Sequence, residues 1–187
     1  MMQSLILSGL LGLSIFGYRM DTMQQNAIGP ALSGKDSVVR TVTGFLSWYK
    51  SHADSISRII LVDQKPGKNY AVNFKNGEKY LTYLRSSQRL TDRYLNEWRL
   101  YFRERQQGFQ LSPQNEGPPT GFEYDLVLLS QEVDTQLASL NKLKIEKVTV
   151  RKDRASVEVD LLANYEFRLV RQNGVWRIDE ILNLSAE

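Results

Sequence analysis

The chain predicts an α+β fold, with helices in its first half laid against a curved antiparallel sheet made by its second. Three observations carry that expectation. Apolar residues recur at helical spacing up to about residue 105, and the period then changes to two. Near the C-terminus, short alternating runs are separated by turn residues, ending in Asn173-Gly174 between two strands. Helices followed by consecutive strands give segregated layers rather than a parallel α/β sheet. With 187 residues, 42% hydrophobic and 24% charged, one core is enough, and it is assigned to a single domain over residues 36–187.

Ahead of that domain, "LILSGLLGLSIFG" at residues 5–17 is an uncharged run, shorter than the roughly 20 apolar residues of a membrane span. It suits the core of a signal peptide, so residues 1–20 are read as a signal peptide or N-terminal anchor and residues 21–35 as a linker. The expectation is a secreted or periplasmic bacterial protein, with no stable membrane insertion after processing. No cysteine is present, which excludes disulfides, thiolate metal sites and a lipid-bearing cysteine.

Within the domain, Asp36 or Ser37 can cap a first helix, whose stripe is Val38, Val42, Phe45, Leu46 and Tyr49. "NYAVNF" alternates Tyr70, Val72 and Phe74 as a short strand, Asn76-Gly77 reads as a turn, and Tyr80, Leu81 and Leu84 as a short helix. The clearest helix is "LTDRYLNEWRLYFRER". Thr91 caps it, Asp92 complements its dipole, and Tyr94, Leu95, Trp98, Tyr101 and Phe102 form its buried face, with Gly108 as its stop.

"QNEGPPTGFEYDLVLLSQE", residues 114–132, reads as a stiff Gly-Pro-Pro corner feeding a strand. In that strand Phe122, Tyr124, Leu126 and Leu128 share one face, and Glu123, Asp125, Val127 and Leu129 the other. A meander follows over residues 145–150, 155–162, 165–171 and 175–181.

The order of elements and the closing Gly174-Val175-Trp176-Arg177-Ile178 resemble the nuclear-transport-factor-two-like (cystatin-like) cone fold. More narrowly, "FLSWY", "YLTYLRSS", "WRLYF" and "GPPTGFEYDLVLLSQE" resemble an uncharacterised bacterial family of exported domains. The resemblance implies a cone-shaped domain with a pocket between helix and concave sheet, and it brings no catalytic residues with it.

The candidate site residues are few. With one histidine, His52, expected just after the first helix, carboxylates are the only plentiful acid/base groups. Glu123 and Asp125 form the alternative catalytic pair, the carboxylate base of a cofactor-free isomerase, dehydratase or hydrolase. Trp98, Tyr101, Tyr124, Asp125, Asn115 and Glu116 are the candidate ligand contacts. No metal site and no cofactor are expected. Arg85, Arg89, Arg93, Arg99 and Arg103 could hold phosphates, although such a series is more often a solvated face.

Charge is uneven: residues 40–105 hold 13 Lys/Arg against 6 Asp/Glu, and residues 106–187 hold 9 against 13. The leading expectation is a non-catalytic exported domain that binds a small molecule or an envelope protein, not nucleic acid. A structural or immunity-like role, including a homodimer paired through the sheet, is a weaker alternative.

Overall fold

The computed structural model describes residues 34–185. The apolar run at residues 5–17, and with it the expectation of export, lies outside the described residues. No helix among the described residues is long and apolar enough to cross a membrane. The architecture is α+β, as the periodicity predicts.

Helix α1 spans Gly34–Ser57, so Gly34 and Lys35 are helical rather than part of the linker. It buries the expected stripe from Val38 to Tyr49 and then continues to Ile56, which is 3% exposed. The stripe keeps its period through Ala53, so nothing stops the helix at residue 50. His52 therefore lies inside α1 and not beyond its end.

Strands β1 (Val62–Asp63) and β2 (Ala71–Val72) form a two-stranded antiparallel ribbon. Helix α2 (Phe74–Arg85) begins immediately, because the Asn73 side chain accepts from the Asn76 amide at 2.9 Å and caps it. Asn76-Gly77 is thus part of the helix's first turn, not a turn that precedes it. Gly77 allows close packing instead: a Cβ there would sit 3.1 Å from the Phe102 ring.

Helix α3 spans Asp92–Leu111 with Thr91 as its cap, the hydroxyl accepting from the Tyr94 amide at 3.0 Å. It runs past Gly108 because Phe109, 5% exposed, packs edge-on against Tyr70 and face-on against Phe122. That packing outweighs the ~1 kcal/mol that a helical glycine costs.

The largest departure from the alternation lies at residues 122–129, which do not form a strand. A single bridge joins Asp125 to Ser130 around a tight turn. Leu126, Val127 and Leu128 are all buried, at 4%, 0% and 0% exposure, which a two-faced strand on the surface of a sheet could not achieve. The Asp125 carboxylate takes the Val127 and Leu128 amides at 3.0 and 2.7 Å, offering the backbone an alternative to a strand ladder. A short helix, α4 (Val133–Ala138), and one 3-10 turn lead to the sheet.

The sheet is an antiparallel meander of β3 (Lys144–Arg151), β4 (Arg154–Asp160), β5 (Asn164–Gln172) and β6 (Val175–Asn183), in that spatial order. Val157, Val159, Tyr165, Phe167, Leu169 and Ile178 point into the core, each at most 1% exposed. Asn173 and Gly174 both have positive φ, 50° and 79°, as a type I′ hairpin requires.

A bulge in β6 frees Asp179, since Leu169 pairs with Ile178 and Arg168 with Glu180. Asp179 is 8% exposed and accepts from the Thr91 hydroxyl at 2.8 Å and from Arg93 at 2.7 Å. The start of α3 is therefore pinned to the last strand, and a carboxylate sits at the positive end of the helix dipole.

Candidate functional site

The corner at residues 112–131 is organised by side chains that reach its backbone. Gln114 works from both ends of its amide. Its Nε2 donates to the Glu116 and Pro118 carbonyls at 3.0 and 2.8 Å, and its Oε1 accepts from the Thr120 amide at 3.0 Å. Tyr70 donates to the Gly117 carbonyl at 2.9 Å, and Tyr101 to the Gly121 carbonyl at 2.6 Å. Glu123 accepts from the Gly121 amide at 2.6 Å.

Gly121, at φ 87°, lies so close to α3 that a Cβ would meet Arg105 Cδ at 2.5 Å and the Tyr101 oxygen at 2.6 Å. Phe122 then stacks on Phe102 and Phe109, with ring centroids 6.1 and 6.4 Å apart.

Behind this clamped loop is a cavity of about 450 Å³, within the usual range for small-molecule sites. Its walls come from the last two turns of α1, the segment 59–64, Tyr80 of α2, the loop residues Pro119, Phe122, Tyr124, Asp125 and Leu126, and the start of α4. The inward face of the four-stranded sheet contributes none of the lining residues. The space expected between helix and concave sheet is filled by α1 packing, where Val38, Val42 and Phe45 are fully buried.

Asp125 anchors the cavity's inner wall. Its Oδ2 accepts a short hydrogen bond from Tyr49, and its Oδ1 accepts the two turn amides. Burial pushes the carboxyl above the ordinary aspartate value, against the opposing pull of those donors; Asp134 adds a smaller push in the same direction. Burial also drives the Tyr49 hydroxyl far above its usual value, with Tyr80 and Asp125 adding to the effect. Both groups therefore hold their protons more tightly than the free side chains do.

Tyr124 and Asp125, both named from the sequence, are brought together on the cavity wall. Trp98 and Tyr101 lie behind the loop: their rings meet edge-to-face at 5.2 Å, and the Tyr101 hydroxyl is 3.2 Å from that of Tyr124. Asn115 and Glu116 are exposed at the outer corner and do not line the cavity. Glu123 is exposed, committed to Gly121, and lines only a shallow neighbouring depression that Tyr124 and Asp125 share.

His52 stacks on Trp48 at 4.5 Å and its Nδ1 lies 2.7 Å from the Trp48 carbonyl, so it belongs to the α1 surface. The arginine series disperses into separate tasks. Arg85 pairs with Asp92, Arg93 with Asp179 and Arg99 with Glu78, while the Arg89 guanidinium lies over Gly44. They do not gather into a phosphate grip.

Tyr49, Tyr80, Asp54 and Asp134, all in the cavity wall, were not singled out as site residues. Tyr49 and Tyr80 sit at core spacing on their helices, and only the fold makes one end of each core residue face a void.

No family model matches the chain, and no curated protein matches it. Among solved structures, a chain of the type VI effector-immunity complex Tae3-Tai3 from Ralstonia pickettii is similar, at 15% identity and a TM-score of 0.40. The match covers 79% of this chain and 97% of that one.

Proposed function

We propose that this protein is a non-catalytic binding domain of the bacterial cell envelope whose receptor site is the cavity between α1, the 59–64 segment and the clamped loop. The observation that carries the reading is the state of Asp125. It is the innermost carboxylate of the cavity, yet both of its oxygens are already occupied by Tyr49 and two backbone amides. A group so engaged holds a wall in place and has little freedom to take a proton from a substrate. Delivery to the envelope rests on the uncharged run at residues 5–17.

Ala53 lies in the cavity wall, and filling the cavity from that position tests the proposal. A fragment library screened by thermal shift is expected to yield stabilising compounds for the native protein and none for Ala53→Phe. Fragments that stabilise both proteins equally would place binding elsewhere.

The second reading, a cofactor-free isomerase, dehydratase or hydrolase, is favoured by one feature: a desolvated carboxyl beside a cavity of substrate size. It requires turnover that disappears in Asp125→Asn while the protein stays folded. Unchanged turnover in that variant removes it.

A further inference from the structure

The acid and base side chains that line the cavity are all of one kind. Its ionisable groups other than tyrosines are Asp54, Asp125 and Asp134, and no lysine, arginine or histidine lines it. That is notable in a chain whose basic residues outnumber its acidic ones, 24 to 21. The carboxylates of Asp54 and Asp134 have no ion-pair partner among the described residues, although the sheet's acidic side chains are widely paired. Independently of the acids, Tyr80 is only 4% exposed, lines the cavity, and its hydroxyl has no hydrogen-bond partner among the described residues. A hydroxyl on a cavity wall with no protein partner is free to bond a ligand or water.

The remaining walls are apolar: Ile56, Ile59, Leu61, Val62, Phe122 and Leu126. We infer that the cavity receives an organic cation, an ammonium or guanidinium group on an apolar stem. The stem lies against the aliphatic wall and the charge lies between Asp54, Asp134 and the tyrosine rings of Tyr49, Tyr80 and Tyr124. Aromatic faces and carboxylates both favour a cation, and a tyrosine oxygen can accept its N–H. Among the described residues, no three acidic or histidine side chains are gathered closely enough to hold a metal ion, so a bare divalent cation does not fit these walls.

This inference rests on the cavity being the receptor site, and the test separates the two. Hexylammonium, 1-hexanol and hexanoate have stems of one length and differ in charge. Each is titrated into the full chain and followed by the amide resonances of residues 53–64 and 119–134. Hexylammonium is expected to bind at least tenfold more tightly than hexanol, with no saturable binding of hexanoate. Asp54→Asn combined with Asp134→Asn is expected to remove that preference while hexanol affinity stays unchanged.

Equal binding of hexanol and hexylammonium overturns the cation and leaves the cavity as receptor. Failure of all three to shift those resonances overturns both. A blocked lysine tripeptide that outcompetes hexylammonium assigns the cation to a polypeptide side chain, and the reverse order assigns it to a free amine. Either result upholds the inference.

Discussion

The meander and the clamped loop solve the same problem by opposite means. In the sheet, each strand's backbone groups are satisfied by the next strand, through a ladder that any alternating sequence can form. Over residues 112–131 there is no ladder beyond the single Asp125–Ser130 bridge, and many of the backbone groups are met one by one by the side chains of Gln114, Tyr70, Tyr101, Glu123, Asp125 and Asn183. A ladder shares its load among many equivalent bonds. The loop concentrates it on a few side chains, and those side chains build the cavity wall.

That contrast predicts a gradient of mutational cost. The largest expected effect is Gly121→Val. It forces a β-branched residue to φ 87° and drives a Cβ into Arg105 and Tyr101. A loss of about 3 kcal/mol is expected in urea unfolding, since strain at positive φ adds to overpacking. A loss below about 1 kcal/mol would mean that the loop can move off α3.

Next is Asp125→Ala, which strands the Val127 and Leu128 amides and the Tyr49 hydroxyl. About 2–3 kcal/mol is expected from leaving buried donors unpaired. Asp125→Asn keeps an acceptor for the two amides and should cost less.

The same residue gives the fold a pH signature. Because the folded protein holds the Asp125 proton more tightly than the unfolded chain does, stability is expected to fall as pH rises from the ordinary aspartate value through the raised one, and then to level off. Unfolding free energies measured between about pH 4 and pH 7 should lose that contribution in Asp125→Asn. An unchanged slope in the variant would assign the dependence to another carboxyl.

Gln114→Ala removes the central clamp, but at a solvent-exposed site where water replaces the lost partners. About 1 kcal/mol is expected, with faster amide exchange confined to residues 116–121. The smallest effect belongs to the ladder. Thr149→Val, on the outward face of β3 opposite Ser156, should change stability by less than about 0.5 kcal/mol. A cost there as large as that of Gln114→Ala would erase the distinction between the two regions.

The same difference explains what could be read from the chain alone. The sheet was legible because its instructions are local: a period of two, and Asn173-Gly174 at a tight turn. Thr91 was legible as a cap for the same reason. The loop was not, because its organisers are remote. Tyr49 lies 76 residues from Asp125 in the chain, and Tyr70 lies 47 from Gly117. Read locally, residues 122–129 alternate well enough to pass for a strand.

Only the competition between Asp125 and a ladder turns that alternation into a knot. Asn76-Gly77 misled for a related reason, since Asn73 three residues earlier captured the Asn76 amide and started a helix. The cavity was half legible. Asp125 stands out as a carboxylate in an apolar run and Tyr124 as a candidate pocket aromatic, whereas Tyr49 and Tyr80 are indistinguishable from ordinary core residues.

Asn183, at the end of β6, donates to the Leu129 carbonyl at 3.1 Å, 54 residues back along the chain. The residue that finishes the meander also fastens the knot. A nascent chain still lacking its final strand has neither the Asp179 anchor for α3 nor this fastening for the loop. The receptor site should therefore be among the last features to take shape during biosynthesis. Ribosome-bound or C-terminally truncated chains would present an unfinished site, however well their helices had formed.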